Sequence, residues 1–145
     1  MSGAAEGEAR RARFEELSVQ ECRELLGTTT VGRVGFTSSR GQVILVVNFS
    51  FRDGFVFFRT AATGPLAELA GGVDDVAFEI DHHNTLRRSG WSVLLNGSTA
   101  AVDADEVQLL SADSSQPQPW AAGERDVLVR LSPRIISGRR ASRRG

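Results

Sequence analysis

The chain has 145 residues, of which 41% are hydrophobic, so it can form one globular domain with a substantial core. Its 17 basic and 18 acidic residues give a net charge of -1, which excludes a bulk attraction to nucleic acid or anionic membranes. The single cysteine, Cys22, excludes an intramolecular disulfide and a multi-cysteine zinc site. We therefore expect a cytoplasmic protein with no signal peptide, no membrane span and no nucleic-acid partner.

Composition and capping signals divide the chain into three parts. Residues 1–14 are small, polar and charged and predict a disordered leader, 15–140 predict one β domain, and 141–145 predict a basic tail. Ser18 and Glu21 have the S-x-x-E spacing of a capping box. They predict a short amphipathic helix, which we expect Gly27 to end in the left-handed conformation.

Six later segments carry β-strand patterns and are separated by short turns. They are residues 28–38, 42–51, 55–60, 74–83, 91–102 and 125–139. The segment 42–51 is apolar at nearly every position, which predicts that both of its faces are covered. Asp53-Gly54 is a hairpin signal, and Gly97 predicts a β-bulge.

The remaining segments predict helical turns and a loop. In residues 61–72, we expect Pro65 at the first helical position and Gly71 at the end of the turn. Residues 104–110 predict a helical segment after Asp103, and the Pro-rich residues 111–124 predict a loop.

Short strands with few helices predict a mainly β fold with short α segments. We expect a six-stranded antiparallel barrel, with a β-sandwich as the alternative, because closure removes exposed sheet edges. The interior of such a small barrel is filled by side chains. A ligand would then bind on the outer wall or between two subunits.

Three candidate sites are weak by themselves. Asp81-His82-His83 offers metal ligands, but neighbours on a strand point to opposite faces, so we do not predict a metal site. Cys22 lies on the apolar face of the predicted helix, which is typical of packing rather than of a nucleophile. The basic residues 137–145 have no interleaved aromatic residues, which favours a solvated tail over nucleic-acid binding.

Two other segments suit a phosphorylated planar ligand. Arg59 ends a strand and is followed by small residues and a helix start, where backbone N–H groups attract anions, although a plain capped turn is the alternative. Trp91 begins a strand beside Gly90 and Ser92, near the expected rim of the barrel. There its indole offers a flat face to a flat ring, whereas core packing is the alternative.

Taken in order, several segments resemble the pyridoxamine 5'-phosphate oxidase-like family of flavin-binding split barrels. They are VGRVGF (31–36), VVNF (46–49), FVFFRTAATGPL (55–66), VAFEID (76–81), SGWSVLLNGSTAAV (89–102) and PWAAGERDVLVRLSPRIISGRR (119–140). This resemblance implies a homodimer of split β-barrels with FMN at the subunit interface.

The resemblance also implies which residues bind the cofactor. Val47 and Asn48 would meet the isoalloxazine edge, Trp91 and Ser92 of the second subunit would cover the ring, and the phosphate and ribityl chain would contact Arg59, Thr60, Ala61, Gly64, Pro65 and Leu66. Many members of the family have a lysine where Pro65 stands. Loss of a charged hydrogen bond, about 1.5–3 kcal/mol, would weaken phosphate binding by about one to two orders of magnitude unless Arg59 or Arg139 compensates.

The function that the resemblance implies is a flavin-dependent oxidoreductase that acts on a small substrate. The alternatives are a non-catalytic module that binds or senses flavin, haem or a pyridoxal-type vitamer, and a deazaflavin-dependent reductase. We find no basic cluster for a substrate phosphate, which disfavours pyridoxamine phosphate oxidation itself. The sequence identifies no general acid or base.

Overall fold

The computed structural model describes residues 12–103, 105–107 and 127–143. The strands are β1 (Ala12–Glu16), β2 (Val31–Ser38), β3 (Gly41–Arg52), β4 (Phe55–Thr60), β5 (Val76–Asn84), β6 (Ser89–Ala101) and β7 (Val127–Arg143), and the helices are α1 (Val19–Leu26) and α2 (Ala67–Ala70).

Six of the strands close into an antiparallel barrel. The sheet order is β1-β7-β4-β3-β2-β5-β6, and a further pairing between β7 and β6 joins the two ends of β2–β7 into a ring. The barrel prediction is therefore confirmed and the sandwich is wrong. Early in β7, residues such as Leu131 pair with both β4 and β6, whereas its end pairs with β6 and β1. The barrel splits where β7 leaves β4.

The first strand was not expected from the sequence. Residues 12–14, predicted to belong to the leader, lie in β1, and residues 141–143, predicted to belong to the tail, lie in β7. The two segments satisfy each other's backbone groups, since Ala12 pairs with Arg143 and Glu16 with Arg139. Neither segment has the alternating apolar pattern that predicts a strand. The rest of the predicted leader and tail, and the predicted loop 111–124, lie outside the described residues.

The local signals at the ends of the elements are mostly confirmed. The Ser18 hydroxyl accepts a bond from Glu21 N at 3.1 Å, and the Glu21 carboxylate accepts one from Ser18 N at 3.0 Å, which completes the capping box. Asp53 and Gly54 have φ of 53° and 85°, as a tight β-hairpin requires. Gly27 ends α1 with φ of -81°, so the predicted left-handed stop is wrong. There the Gly27 and Thr28 N–H groups bond to carbonyls three residues earlier, which tightens the turn without a positive φ.

The interior of the barrel is filled by side chains, as expected. The rings of Phe49 and Phe78 meet edge to face with centroids 4.9 Å apart. Gly32 leaves the space for Phe78, because a Cβ there would lie 2.4 Å from Phe78 Cζ. The buried Cys22 belongs to the same core, and burial raises the pKa of its thiol, which confirms a packing role.

Within the single chain, the expectation about β3 is met on one face only. Both faces were predicted to be covered, yet the side chains of Ile44 and Val46 are 76% and 48% exposed. They point away from the barrel interior, and nothing in the described part of the single chain packs over them. The apolar character of β3 therefore reflects a core on one side and an uncovered apolar surface on the other.

Candidate functional site

Side chains that point away from the barrel interior on β2, β3, β5, β6 and β7 form a continuous surface, which we name the outer face. Cross-strand register arranges these residues in three rows. The first row has two separate parts, Asn48 with Val31 and Asp81 with Ser92 and Arg139; the second is Val46, Arg33, Glu79, Leu94 and Ser137; the third is Ile44, Gly35, Ala77, Asn96 and Ile135.

The outer face is apolar to an unusual degree for a surface. Its exposed large hydrophobic residues, with exposed fractions from 40% to 76%, are Val31, Ile44, Val46, Leu94 and Ile135. They form two groups, Val31, Ile44 and Val46 on β2 and β3 and Leu94 with Ile135 on β6 and β7, with β5 between them. Grouped exposed apolar side chains of this kind mark an interaction site.

A charged cluster lies within this apolar surface. Arg33 donates to Asp81 Oδ2 at 2.8 Å and to Glu79 Oε1 at 3.2 Å. Partial burial, together with the hydrogen bond and charge of Asp81, raises the pKa of Glu79 to about 7, although Arg33 acts to lower it. Glu79 therefore exchanges its proton near neutral pH.

A cleft of about 600 Å³, which we name the Ser92 cleft, lies at the β6–β7 side of the outer face. It is lined by Glu16, Leu17, Glu79, Ser92, Leu94, Ile136, Ser137, Gly138 and Arg139. Its walls combine apolar side chains with two hydroxyls, two carboxyls and a guanidinium. The guanidinium of Arg139 also lies 5.4 Å from the centre of the exposed ring of Phe14.

Strand alternation divides the predicted ring-binding residues between two faces. Asn48 and Ser92 belong to the outer face, whereas Val47 and Trp91 point toward the barrel interior. Trp91 is half-buried at the end of the barrel, and its ring centroid lies 6.2 Å from that of His82. The indole is therefore not sealed in the core, but within one chain it does not share a face with Ser92.

The residues predicted to bind the phosphate are divided as well. Thr60 is buried and its hydroxyl donates to Ala61 O at 3.1 Å, while Arg59 is half-buried on the opposite face of β4. Ala61 is exposed beyond the strand, and Leu66 packs against the core. None of these four residues lines the cleft at the start of α2.

Gly64 and Pro65 do line that cleft, which has a volume of about 210 Å³. The other lining residues are Ser38, Ser39, Arg40 and Glu68. Glu68 accepts a bond from Ser39 N at 3.0 Å, so a carboxylate and the Arg40 guanidinium both stand at this site. Pro65 is not the first helical residue as predicted, since α2 begins at Ala67 after a turn closed by the bond from Ala67 N to Gly64 O.

The Gly64–Pro65 cleft and Asn48 lie at opposite ends of the β2–β3 hairpin, whereas Arg59 follows Phe58, which pairs with Phe49 next to Asn48. Asn48 pairs with Val31 at one end, and Ser38 pairs with Gly41 at the other. Seven residues of strand separate these pairs, a distance of about 23 Å. A single chain therefore does not gather all the predicted residues around one small ligand.

A model of the family described as pyridoxamine 5'-phosphate oxidase matches residues 18–140 of the chain. The chain belongs to this family. A relative, the uncharacterized protein Rv0080 of Mycobacterium tuberculosis, is 31% identical over 127 residues, which cover 85% of this chain and 82% of the relative. The family resemblance found in the sequence is thereby confirmed.

Solved structures extend the comparison to the fold. The FAD binding protein from Mycobacterium smegmatis is 34% identical, with a TM-score of 0.71, over 87% of this chain and 98% of its own. An FAD-binding protein from Mesorhizobium loti, mll6688, is 20% identical, with a TM-score of 0.72, over 90% of this chain and 98% of its own. The second likeness concerns the fold alone, and both confirm the split barrel.

Two further features concern metal sites and membrane spans. His82 and His83 are both exposed and alternate between the faces of β5, and the described residues contain no group of three or more metal-ligating side chains. Within the same described ranges, neither helix is long and apolar enough to cross a membrane.

Sequence reasoning missed Arg40, Glu79 and the outer face. Arg40 lies in a plain turn, and only the packing of α2 against that turn places it beside Gly64. Glu79 had a visible signal, the acidic end of VAFEID, but its partner Arg33 is 46 residues away in sequence. In this member of the family, the charged groups of Arg33 and Glu79 are brought together by the pairing of β2 with β5.

Proposed function

We propose that the protein is a homodimeric flavin-dependent oxidoreductase, with a flavin nucleotide bound at the seam between the outer faces of two copies. The observation that carries this proposal is the outer face itself. Five large apolar side chains on it are 40–76% exposed in the single chain. A second copy would remove this surface from water, which is favourable in proportion to the area covered.

The charges on the outer face suit pairing with an identical surface. A two-fold interface uses the same patch on both copies, so the patch must complement itself. Arg33 lies beside Glu79 and Asp81, so both signs of charge are present in the same region of the patch. Each copy therefore offers a cation and an acceptor to its mate.

The Ser92 cleft has the character of a flavin ring site. Leu94 offers an apolar wall, while Ser92, Ser137 and Arg139 offer hydrogen-bonding groups at its edge. In one chain, β2 and β5 separate the β3 strand of Asn48 from the β6 strand of Ser92, and Asn48 does not line this cleft. We infer that the partner's Asn48 edge closes the cleft over the ring.

We further propose that FAD binds more tightly than FMN. The chain from Ala61 to Pro65 is exposed, so it leaves room for a group beyond the first phosphate. The cleft at Gly64 holds Arg40 but also Glu68, a poor environment for the terminal dianion of FMN. The FAD binding protein from Mycobacterium smegmatis, 34% identical, supports the same choice.

When bound, the flavin supplies hydride acceptance and electron transfer to a second acceptor. The residues of this chain bind the ring, orient it and exclude water from it. Leu94 excludes water, and Ser92 and Arg139 orient the polar edge of the ring.

The test is a titration of the apoprotein with FAD and with FMN, followed by quenching of flavin fluorescence. We expect FAD to bind more tightly than FMN. Ser92→Leu should weaken the binding of both flavins because the larger side chain fills the cleft. Trp91→Leu should weaken the binding of both because it loosens the end of the barrel. Pro65→Lys adds a charge beside Gly64 and should strengthen FMN by about 10- to 100-fold. Leu86→Ala, at the exposed hairpin tip, is the matched control.

The redox proposal needs a second measurement. Bleaching of the bound flavin by a nicotinamide donor, and its recovery in air, would support the oxidoreductase. A yellow protein that no donor bleaches would instead be a flavin carrier, and a protein that takes up only deazaflavin would support that cofactor. Failure of both FAD and FMN to bind would overturn the proposal.

A further inference from the structure

We propose that Glu79 couples the pairing of two copies to pH, because each copy takes up one proton at this carboxyl when its outer face is covered. The dimer, and with it the flavin site at the seam, would then form more tightly in mildly acidic than in mildly alkaline solution. This inference rests on the homodimer of the proposed function.

The position of Glu79 is the first argument. It stands in the middle row of the outer face, between Arg33 of β2 and Leu94 of β6. Apolar residues of that face surround the cluster, so pairing of two copies would take these charges out of water together. Charges that leave water must be paired or neutralised.

The balance of charge around Glu79 is the second argument. Arg33 from β2 and Asp81 from its own strand contact Glu79, and Arg139 from β7 and Glu16 at the end of β1 line the same cleft. Three carboxylates and two guanidiniums leave one excess negative charge on each copy. Two-fold pairing would bring two such charges into one interface, and one proton per copy removes both.

A protonated Glu79 also fits its surroundings better than the anion does. Asp81 lies within hydrogen-bonding distance, and a neutral carboxyl can donate to this carboxylate, whereas two anions repel. In the separate chain, burial and Asp81 already place the pKa of Glu79 at about 7. Removal of the remaining water on pairing raises it further, since desolvation disfavours the charged form.

The direction of the pH effect follows from these two states. Below about pH 7, Glu79 holds its proton in the separate chain and in the dimer, so pairing does not depend on it. Above that pH the separate chain loses the proton while the dimer keeps it, and the association weakens. With one proton per copy, the dissociation constant should rise by up to about 100-fold per pH unit.

Sedimentation equilibrium of the full chain without flavin, from about pH 6 to about pH 8.5, tests this dependence. We expect the wild-type dissociation constant to be flat below neutrality and to rise steeply above it. Glu79→Gln, which mimics the neutral carboxyl, should remove the rise. Glu24→Gln is the matched control, because Glu24 is an exposed carboxylate on α1, away from the outer face.

A direct titration keeps the test independent of any variant. The carboxyl ¹³C resonance of Glu79 should titrate near pH 7 in dilute wild-type protein and at higher pH in concentrated protein. Equal midpoints at both concentrations, a flat wild-type dissociation constant, or an unchanged slope in Glu79→Gln would each overturn the inference. A chain that stays monomeric at every pH would refute the dimer itself, which is a separate failure.

Discussion

The substitution Ile44→Asp tests the outer face most directly. The Ile44 side chain is 76% exposed in the single chain, and a second copy would cover it. Full burial of such a side chain contributes about 1.5–3 kcal/mol, so the exposed part amounts to about 1–2 kcal/mol per copy. Two copies give about 2–4 kcal/mol, and the dissociation constant should therefore rise by about 30- to 900-fold.

The introduced carboxylate adds to this effect, because it would be covered without a partner. The fold should survive, since Ile44 lies outside the barrel interior. Sedimentation velocity would measure the association, and far-ultraviolet circular dichroism would check the fold. Val19→Asp is the matched control, because Val19 is 49% exposed on α1. If Ile44→Asp paired as tightly as Val19→Asp and wild type, the outer face would not be the interface.

Three further predictions concern stability. Gly32→Ala should destabilise the fold by about 1–3 kcal/mol through the overlap of its Cβ with Phe78. Phe78→Leu should relieve part of that loss in the double variant. If the two changes in the free energy of unfolding, measured in urea, simply added, the contact would be contradicted. The wild-type free energy of unfolding should fall by on the order of 1 kcal/mol as pH rises from 4.5 to about 7, because folded Glu79 keeps a proton that the unfolded chain loses. The side chain of Glu79 is about one-third exposed, which limits the size of this effect. Glu79→Gln should make the free energy of unfolding nearly independent of pH over this range. Gly138→Ala places a Cβ 2.7 Å from Cys22 Sγ and should lower the thermal midpoint, with partial recovery in Gly138→Ala/Cys22→Ala; a midpoint equal to that of wild type would count against this packing.

Much of the fold could be predicted because its signals are local. The capping box at Ser18, the hairpin at Asp53-Gly54 and the bulge at Gly97 each depend on a few neighbouring residues. In β2, the alternation of residue types along the strand also matches the alternation of buried and exposed residues. Strand β1 was not predicted because its pairing with the end of β7 joins residues that are far apart in the sequence.

The candidate site was harder to predict because it depends on contacts between distant strands. Period-two alternation places His82 and His83 on opposite faces of β5, and the same rule separates Trp91 from Ser92 and Val47 from Asn48. Apolar residues on both faces of β3 indicated that both faces are buried. The sequence does not distinguish burial by the same chain from burial by another chain. The contact between Arg33 and Glu79 has no local signal at all.

Strand β7 has a consequence for how the molecule is made. It pairs with β1, β4 and β6, so the barrel is not closed until this last strand is in place. During synthesis, β4 and β6 emerge from the ribosome with unpaired edges, and these edges invite pairing with other chains. The nascent protein would thus be most prone to aggregate before β7 has emerged, and shortening β7 should reduce soluble yield more sharply than changes within the hairpin tips.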